Sequence, residues 1–336
     1  MPDNTPHSIL LIWIGRLGDL IVSTPFIHAM RGKYPRARIT LLARGYVRGA
    51  ADMIAPLDEK IYLPSLSSPA DAAAFAKNFL FKKFDLCVDM NASYSRTAGA
   101  LARLSGAKRR VSFDKFRADW FYTATVPAPK DDEHMLERYR RLAEFFGATF
   151  TPQLRLDVPP REREAARKLL AASGVNPAAF KVAVHAGNFK KVGHRWPEEK
   201  FEELTKRILP LAGVEVIYIS GPGEEAQTRA LAQKAGVKFV IPPLPLGTLA
   251  GLLQEVNMLI VSATGTMHLA AAVGTPLLSF QSGYTDKCWK PLQGGGIALA
   301  SKDWDSLRGI EVDKAWQAFC ELKRRSFSGH GVSAII

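Results

Sequence analysis

Apolar residues fall into short runs separated by stretches of helical spacing. Ile9–Ile14 reads as a buried strand, helical spacing follows over Asp19–Tyr34, and Ile39–Ala43 reads as a second strand. Phe84–Met90 predicts another strand, with a helix after it running through Leu104. The stretch Thr151–Pro160 holds three prolines (Pro152, Pro159, Pro160) and opens into a charged helix over Arg161–Ser173, so it reads as a linker. The pattern then restarts. Strands are expected at Lys181–His185, Val214–Ser220, Phe239–Ile241, Met258–Val261 and Pro276–Phe280. Between them lie helices at Pro197–Leu211, Glu224–Ala235, Leu246–Glu255 and Thr266–Val273. Short β-branched runs alternating with helices imply parallel sheets with right-handed crossovers. The expectation is an α/β chain of two doubly wound domains facing one cleft, divided within about ten residues of Pro159. Ligands in such sheets bind outside the carboxyl ends of the strands.

Composition narrows the class. The chain has 336 residues, 47% of them hydrophobic and 23% charged, enough for a sizeable core in each domain and unlike a disordered or fibrous protein. Its net charge of +13 suits an anionic partner: nucleic acid, an anionic lipid surface or a phosphorylated substrate. Between Arg96 and Arg117 seven basic residues face one acid, Asp114, which is either a solvated surface or the mark of a domain that handles the more anionic partner. Cys87, Cys288 and Cys320 are far apart, so neither a disulfide framework nor a cysteine zinc site is expected, and a reducing compartment fits. The run Ile9–Ile14 is too short for a signal h-region, and the uncharged stretch Val256–Thr285 is punctuated by Gly265, Gly274 and Pro276. Neither an export signal nor a membrane span is expected.

Four loops carry candidate chemistry. Gly15-Arg16-Leu17-Gly18-Asp19 follows the first strand, and its glycines permit a tight turn at a helix start. It lacks the third glycine of a dinucleotide fingerprint, since Ile21 stands there, and it lacks a P-loop lysine. Asp19 is either the helix N-cap or a general base. Lys190-Lys191-Val192-Gly193-His194-Arg195-Trp196-Pro197 places cations beside a helix start, as an anion site or a solvated loop, with Trp196 in the core. In Ser262-Ala263-Thr264-Gly265-Thr266-Met267-His268, small residues let a phosphate approach a helix N-terminus, whereas His268 on its own reads equally as a core histidine. Gly221-Pro222-Gly223-Glu224-Glu225 offers an acid for ribose hydroxyls or for the next helix start. Asp303-Trp304-Asp305 spells a DxD metal motif but reads as a chance match lying outside the loops that form the cleft. HExxH, clustered His/Cys spacing and GxSxG are all absent.

Taken together these motifs resemble the family 9 glycosyltransferases, the ADP-heptose:lipopolysaccharide heptosyltransferase group. The resemblance is carried by Ile9–Pro25, Asp85–Val111, His134–Tyr139, His194–Leu204, Gly221–Glu225, Ser262–Pro276 and Tyr284–Trp289, in order, over most of the chain. It implies a GT-B fold with an acceptor-binding domain at 1–158 and a nucleotide-sugar domain at 159–312. A helix and tail at 313–336 would pack back on the first domain. It implies inverting transfer without a catalytic metal or cofactor, with Asp19 as base and ADP-heptose as the leading donor. Lys190, Lys191, His194, Arg195, Thr264, Gly265, Thr266, Met267 and His268 would surround the donor diphosphate, Glu224 or Glu225 the ribose, and Leu244 the adenine. Arg16, Gly18, Arg96, His134 and Arg138 would meet an anionic glycolipid acceptor. The implied setting is cytoplasmic, peripheral on the anionic inner face of the membrane, with no nucleic-acid partner. Two positions depart from the family pattern: His194 stands where lysine is usual, with Lys190 or Lys191 as substitutes, and Ala263 where some members carry aspartate.

Other readings compete. An NAD-type oxidoreductase lacks its GxGxxG, and a nucleic-acid module lacks an aromatic-interleaved basic stripe or a known motif. A catalytically silent paralogue would keep the fold with the departures at His194 and Ala263.

Overall fold

A computed structural model describes residues 5–64, 69–187, 195–293 and 295–328. The chain divides between Asp157 and Val158 into two compact units. The first holds strands β1 (Ser8–Trp13), β2 (Arg38–Arg44), β3 (Glu59–Leu63), β4 (Leu86–Asp89), β5 (Arg109–Phe113) and β6 (Ala124–Val126). They form one parallel sheet in the order β3-β2-β1-β4-β5-β6. The second holds β7 (Phe180–His185), β8 (Val214–Ile219), β9 (Phe239–Ile241), β10 (Met258–Ser262), β11 (Leu277–Gln281) and β12 (Ile297–Ala300). Their order, β12-β11-β10-β7-β8-β9, repeats the first sheet's topology. Each sheet therefore reverses its winding once, between β1 and β4 and between β7 and β10. Those reversals are the topological switch points of a Rossmann-like fold.

Burial explains which strands the apolar pattern marks. β4, β10 and β11 are buried at every residue and β1 at all but its first, as parallel strands covered on both faces must be. Of the unmarked strands, β3, β6 and β12 are sheet edges with one neighbour each, β12 alternating half-buried and exposed residues, while β5 is an inner strand whose first two residues, Arg109 and Arg110, are not buried. The helical spacing over Asp19–Tyr34 resolves into two helices, Leu17–Val22 and Thr24–Lys33. Pro25 has no N–H to continue the first helix. The hydroxyl of Thr24 instead donates to the Ile21 carbonyl at 2.7 Å, and that of Ser23 to Leu20 at 2.7 Å.

In the second unit the core centres on Trp196. Its ring stacks on Phe280 at 3.9 Å between centroids, meets Phe201 edge-on, and its indole N–H donates to the Ile310 carbonyl at 2.9 Å. The helix Val312–Ser328 buries Ala315, Phe319 and Leu322 in this same core. The described part of the C-terminal segment expected after residue 312 thus packs into the core of the second unit. The proline-rich linker ends at Pro159, and the helix Pro160–Ala172 locks onto the helix Leu246–Glu255. Gly251 permits that approach, because a Cβ there would meet the Glu162 carbonyl oxygen at 2.6 Å.

Candidate active site

In the first unit the candidate residues gather where strands end. β1 ends at Trp13, and the loop Ile14–Arg16 leads into the helix Leu17–Val22 with Arg16 as its N-cap residue. Asp19 sits in the first helical turn, not at the cap, and its carboxylate accepts the backbone N–H of Arg16. An acid there complements the helix dipole. Burial pushes the Asp19 carboxyl above its ordinary range, while the charges of Arg16 and Arg138 and the Arg16 N–H pull it back. Tyr46, entering from the end of β2, donates its hydroxyl to the Gly15 carbonyl and feels the Asp19 charge.

Arg138 reaches this corner from the helix Met135–Phe145. Its guanidinium donates to the Lys130 carbonyl at 3.2 Å and lies 3.6 Å from Glu133. His134 is the N-cap of the same helix and accepts the Leu136 N–H on Nδ1 at 3.2 Å. Arg96 is exposed at the first turn of the helix Arg96–Leu104, which follows β4 and is capped by Ser95. Arg16, Gly18, Asp19, Arg96, His134 and Arg138 thus all lie on loops or helices that leave the carboxyl edge of one sheet.

A buried polar cluster behind this edge escapes the sequence reading. Asp89, the last residue of β4, is fully buried and pairs with Lys115 Nζ at 2.7 Å. Tyr122 donates to the same carboxylate oxygen. Burial and then the Asp89 charge push the Tyr122 phenol up, which keeps it a donor. Asn91 donates its side-chain N–H to Asp89 Oδ1 at 2.5 Å and accepts the Ile14 N–H on Oδ1 at 3.0 Å. Lys115 also donates to the Asn91 carbonyl at 2.9 Å. The cluster therefore fixes the residue that starts the Gly15–Asp19 loop. Its sequence signal is the polar pair Asp89 and Asn91 interrupting an apolar run at a strand end.

The second unit repeats the plan. His185 ends β7, and its Nε2 lies 3.4 Å from the Glu224 carboxylate. Glu224 precedes the helix Glu225–Ala235 and leans over Gly187 and Gly221, where a methyl group at either position would collide with its carboxylate. Glu225 points away and pairs with Arg229 one turn along at 2.8 Å. Of the two acids left open by the sequence, Glu224 is the one at the strand ends. Leu244 is half-buried in the loop after β9.

Across the switch point, Thr264 is the N-cap residue of the helix Gly265–Ala272 and makes no side-chain capping bond. Its buried hydroxyl meets no hydrogen-bond partner among the described residues. Gly265, Thr266 and Met267 form the first turn, and buried His268 has its ring 6.1 Å from that of Trp289. Arg195 is buried and pairs with Glu198 at 2.5 Å, while the next backbone N–H, of Trp196, donates to Ser262 at 3.1 Å. The Trp196 bond ties the Arg195 loop to the end of β10. Lys190, Lys191 and His194 lie outside the described residues.

The Asp303–Asp305 turn stands differently from its sequence reading. It follows the carboxyl end of β12 and is therefore one of the loops on the binding edge, at the outermost strand. There Asp303 Oδ1 accepts the Asp305 N–H at 3.2 Å, as in an Asx-turn. Among the described residues no group of three or more His, Cys, Asp or Glu could hold a metal ion. Among the same residues no helix is long and apolar enough to cross a membrane.

The family model of glycosyltransferase family 9 (heptosyltransferase) matches residues 72–306. The chain belongs to that family. Lipopolysaccharide heptosyltransferase 3 of Escherichia coli is 24% identical over 313 residues, covering 85% of this chain and 87% of that protein. The crystal structure of a family 9 glycosyl transferase from Veillonella parvula DSM 2008 superposes with a TM-score of 0.84, at 18% identity, over 96% of this chain and all of that one. E. coli heptosyltransferase WaaC with ADP-2-deoxy-2-fluoro heptose superposes at 0.71, with 20% identity, over 94% of this chain and 99% of that one. The two Rossmann-like units are those of a GT-B glycosyltransferase, and the chain is an enzyme of that kind. The loops that carry the family 9 resemblance, around Asp19, Arg195, Glu224 and Thr264, all lie on the carboxyl edges of the two sheets.

Proposed function

We propose that this family 9 glycosyltransferase transfers heptose from ADP-heptose to a lipopolysaccharide-core or related anionic surface-glycan acceptor, with inversion and without a catalytic metal. The support is the family itself, a relative named as a lipopolysaccharide heptosyltransferase, and a structural neighbour that holds an ADP-heptose analogue. The observation that carries the mechanism is the half-buried Asp19 at the end of β1. Burial makes its carboxylate a stronger base than an exposed aspartate, and the charges of Arg16 and Arg138 favour its ionised form.

In this reading the first unit carries the acceptor and the second the donor. Asp19 takes the proton of the acceptor hydroxyl as its oxygen attacks the sugar C1 from the face opposite the diphosphate. The bond from C1 to the diphosphate oxygen breaks, and ADP leaves with the electron pair. Thr264, the N-terminal turn of the helix Gly265–Ala272 and Arg195 balance the growing negative charge. Glu224 faces the ribose hydroxyls. Arg96, Arg138 and the unit's basic surface hold acceptor phosphates, in keeping with a reading of the enzyme as peripheral on the cytoplasmic face of an anionic membrane. Calorimetry with ADP-heptose, ADP, UDP-sugars and GDP-sugars tests the donor. ADP and ADP-heptose are expected to bind and the UDP and GDP compounds not. Selective binding of a UDP- or GDP-sugar would overturn the ADP-heptose assignment.

A further inference from the structure

The loop that follows β5 turns large apolar side chains outward. Phe121 packs so closely on the helix Arg96–Leu104 that a Cβ on Gly99 would meet its ring at 2.6 Å, and Ala118 and Tyr122 are buried beside it. Phe116 and Trp120, from the same loop, remain 66% and 56% exposed. Tyr94 meets Phe116 edge-on at 5.5 Å, and Leu104, at the end of the adjoining helix, is 57% exposed. Folded soluble surfaces rarely gather such groups without a partner.

Cations are built into the strip. The Arg117 guanidinium lies 4.4 Å from the centre of the Trp120 ring and 4.9 Å from that of Phe116. Arg117 also adopts a left-handed backbone with φ of 53°, the one non-glycine residue at positive φ among the described residues. Such strain persists where the surroundings impose it and concentrates at functional surfaces. Arg103 donates to the Trp120 carbonyl at 3.4 Å and shares the exposed helix face with Arg96, seven residues before it. The exposed acids of this stretch are Asp114 and Asp119, against exposed Arg96, Arg103, Lys108, Arg109 and Arg117. Tyr94 and Phe116 leave β4 and β5 at the carboxyl edge, the edge that carries Asp19.

We infer that the strip Tyr94, Leu104, Phe116, Trp120 with Arg103 and Arg117 docks the enzyme on an anionic lipid bilayer. The rings and Leu104 enter the headgroup region and the arginines meet lipid phosphates. Aromatic rings with a polar edge and arginines with long stems suit that interface. Net positive charge selects anionic lipid. The inference rests on the reading of the enzyme as a transferase with a glycolipid acceptor, since docking would present the lipid's glycan to the edge that holds Asp19.

The test is co-sedimentation of the full chain with vesicles of equimolar phosphatidylglycerol and phosphatidylcholine, and with phosphatidylcholine alone. Wild type is expected to bind the mixed vesicles and to bind phosphatidylcholine far more weakly. Phe116→Ser with Trp120→Ser should weaken binding at least about tenfold. Arg103→Gln with Arg117→Gln should weaken it about fivefold for each charge removed and flatten the salt dependence. All four side chains are exposed, and circular dichroism melting checks that the variants fold. Wild type and the aromatic variant should transfer sugar equally well to a delipidated acceptor. Equal vesicle binding by wild type and the aromatic variant would overturn the inference. So would tighter binding of polyuridylate than of the mixed vesicles, which would make the strip a nucleic-acid surface. Absence of transfer by wild type to the delipidated acceptor would instead strike the transferase reading, leaving the vesicle result to stand alone.

Discussion

Replacing Lys115 by methionine should cost the first unit far more than a surface lysine would. Its side chain is 5% exposed, and its ammonium pairs at 2.7 Å with an Asp89 carboxylate that is fully buried. The methionine keeps most of the side-chain volume and packs beside Tyr122, so the loss is chiefly electrostatic. Removing one partner of a buried pair leaves an uncompensated charge and costs about 3–5 kcal/mol. At roughly 2–4 °C per kcal/mol for a unit of this size, the transition of the first unit should fall by roughly 6–20 °C. Scanning calorimetry of the whole chain is the assay, because the two units can melt as separate transitions and only that of the first unit should move. Asp89→Asn combined with Lys115→Met should recover most of the loss, since no buried charge remains. A single-variant loss under about 1 kcal/mol, typical of an exposed pair, would refute the claim that the pair is dry and supports the loop at Ile14.

Further outcomes follow from the same geometry. Because burial raises the Asp19 carboxyl in the folded state, its ionisation opposes folding as pH rises through that raised value. Asp19→Asn should therefore melt higher than wild type at pH 7, with the difference shrinking as the solution is acidified and vanishing below the ordinary aspartate range; a pH series of melting curves checks this. Arg195→Ala removes a charge-assisted hydrogen bond worth about 1.5–3 kcal/mol, and ADP affinity by calorimetry should drop about ten- to a hundredfold. Glu224→Ala should weaken ADP binding about tenfold, whereas Glu225→Ala should leave it unchanged, because Glu225 is engaged with Arg229 on the helix surface.

How much of this is legible in the sequence depends on where each residue gets its partners. Central strands such as β1, β10 and β11 are covered on both faces, so their apolar runs mark them. The edge strand β3, with Glu59 and Lys60 in five residues, and the inner strand β5, which opens on Arg109 and Arg110, carry no such run. The break at Ser23 is hidden because apolar spacing continues through it, although Pro25 withholds an N–H and the hydroxyls of Ser23 and Thr24 bond back onto the first helix. The position of Asp19 beside two glycines after a buried run is readable from neighbours in sequence. The choice between Glu224 and Glu225 is not, since it turns on the approach of Glu224 to His185, 39 residues earlier. Likewise Asp89 finds Lys115 and Tyr122 at separations of 26 and 33 residues, so nothing local announces the pair.

Whether Asp19 is the base is decided by single-turnover kinetics of Asp19→Asn. Asparagine keeps the size of the side chain but cannot take the acceptor proton. With ADP-heptose and a lipopolysaccharide-core acceptor lacking the added heptose, the rate of transfer should fall by about 10²–10⁴-fold. ADP affinity measured on the same preparation should stay within about twofold of wild type, since the proposed donor groups belong to the second unit. A transfer rate equal to wild type in the folded variant would contradict the claim and leave Asp19 as a helix-start residue, with the base elsewhere.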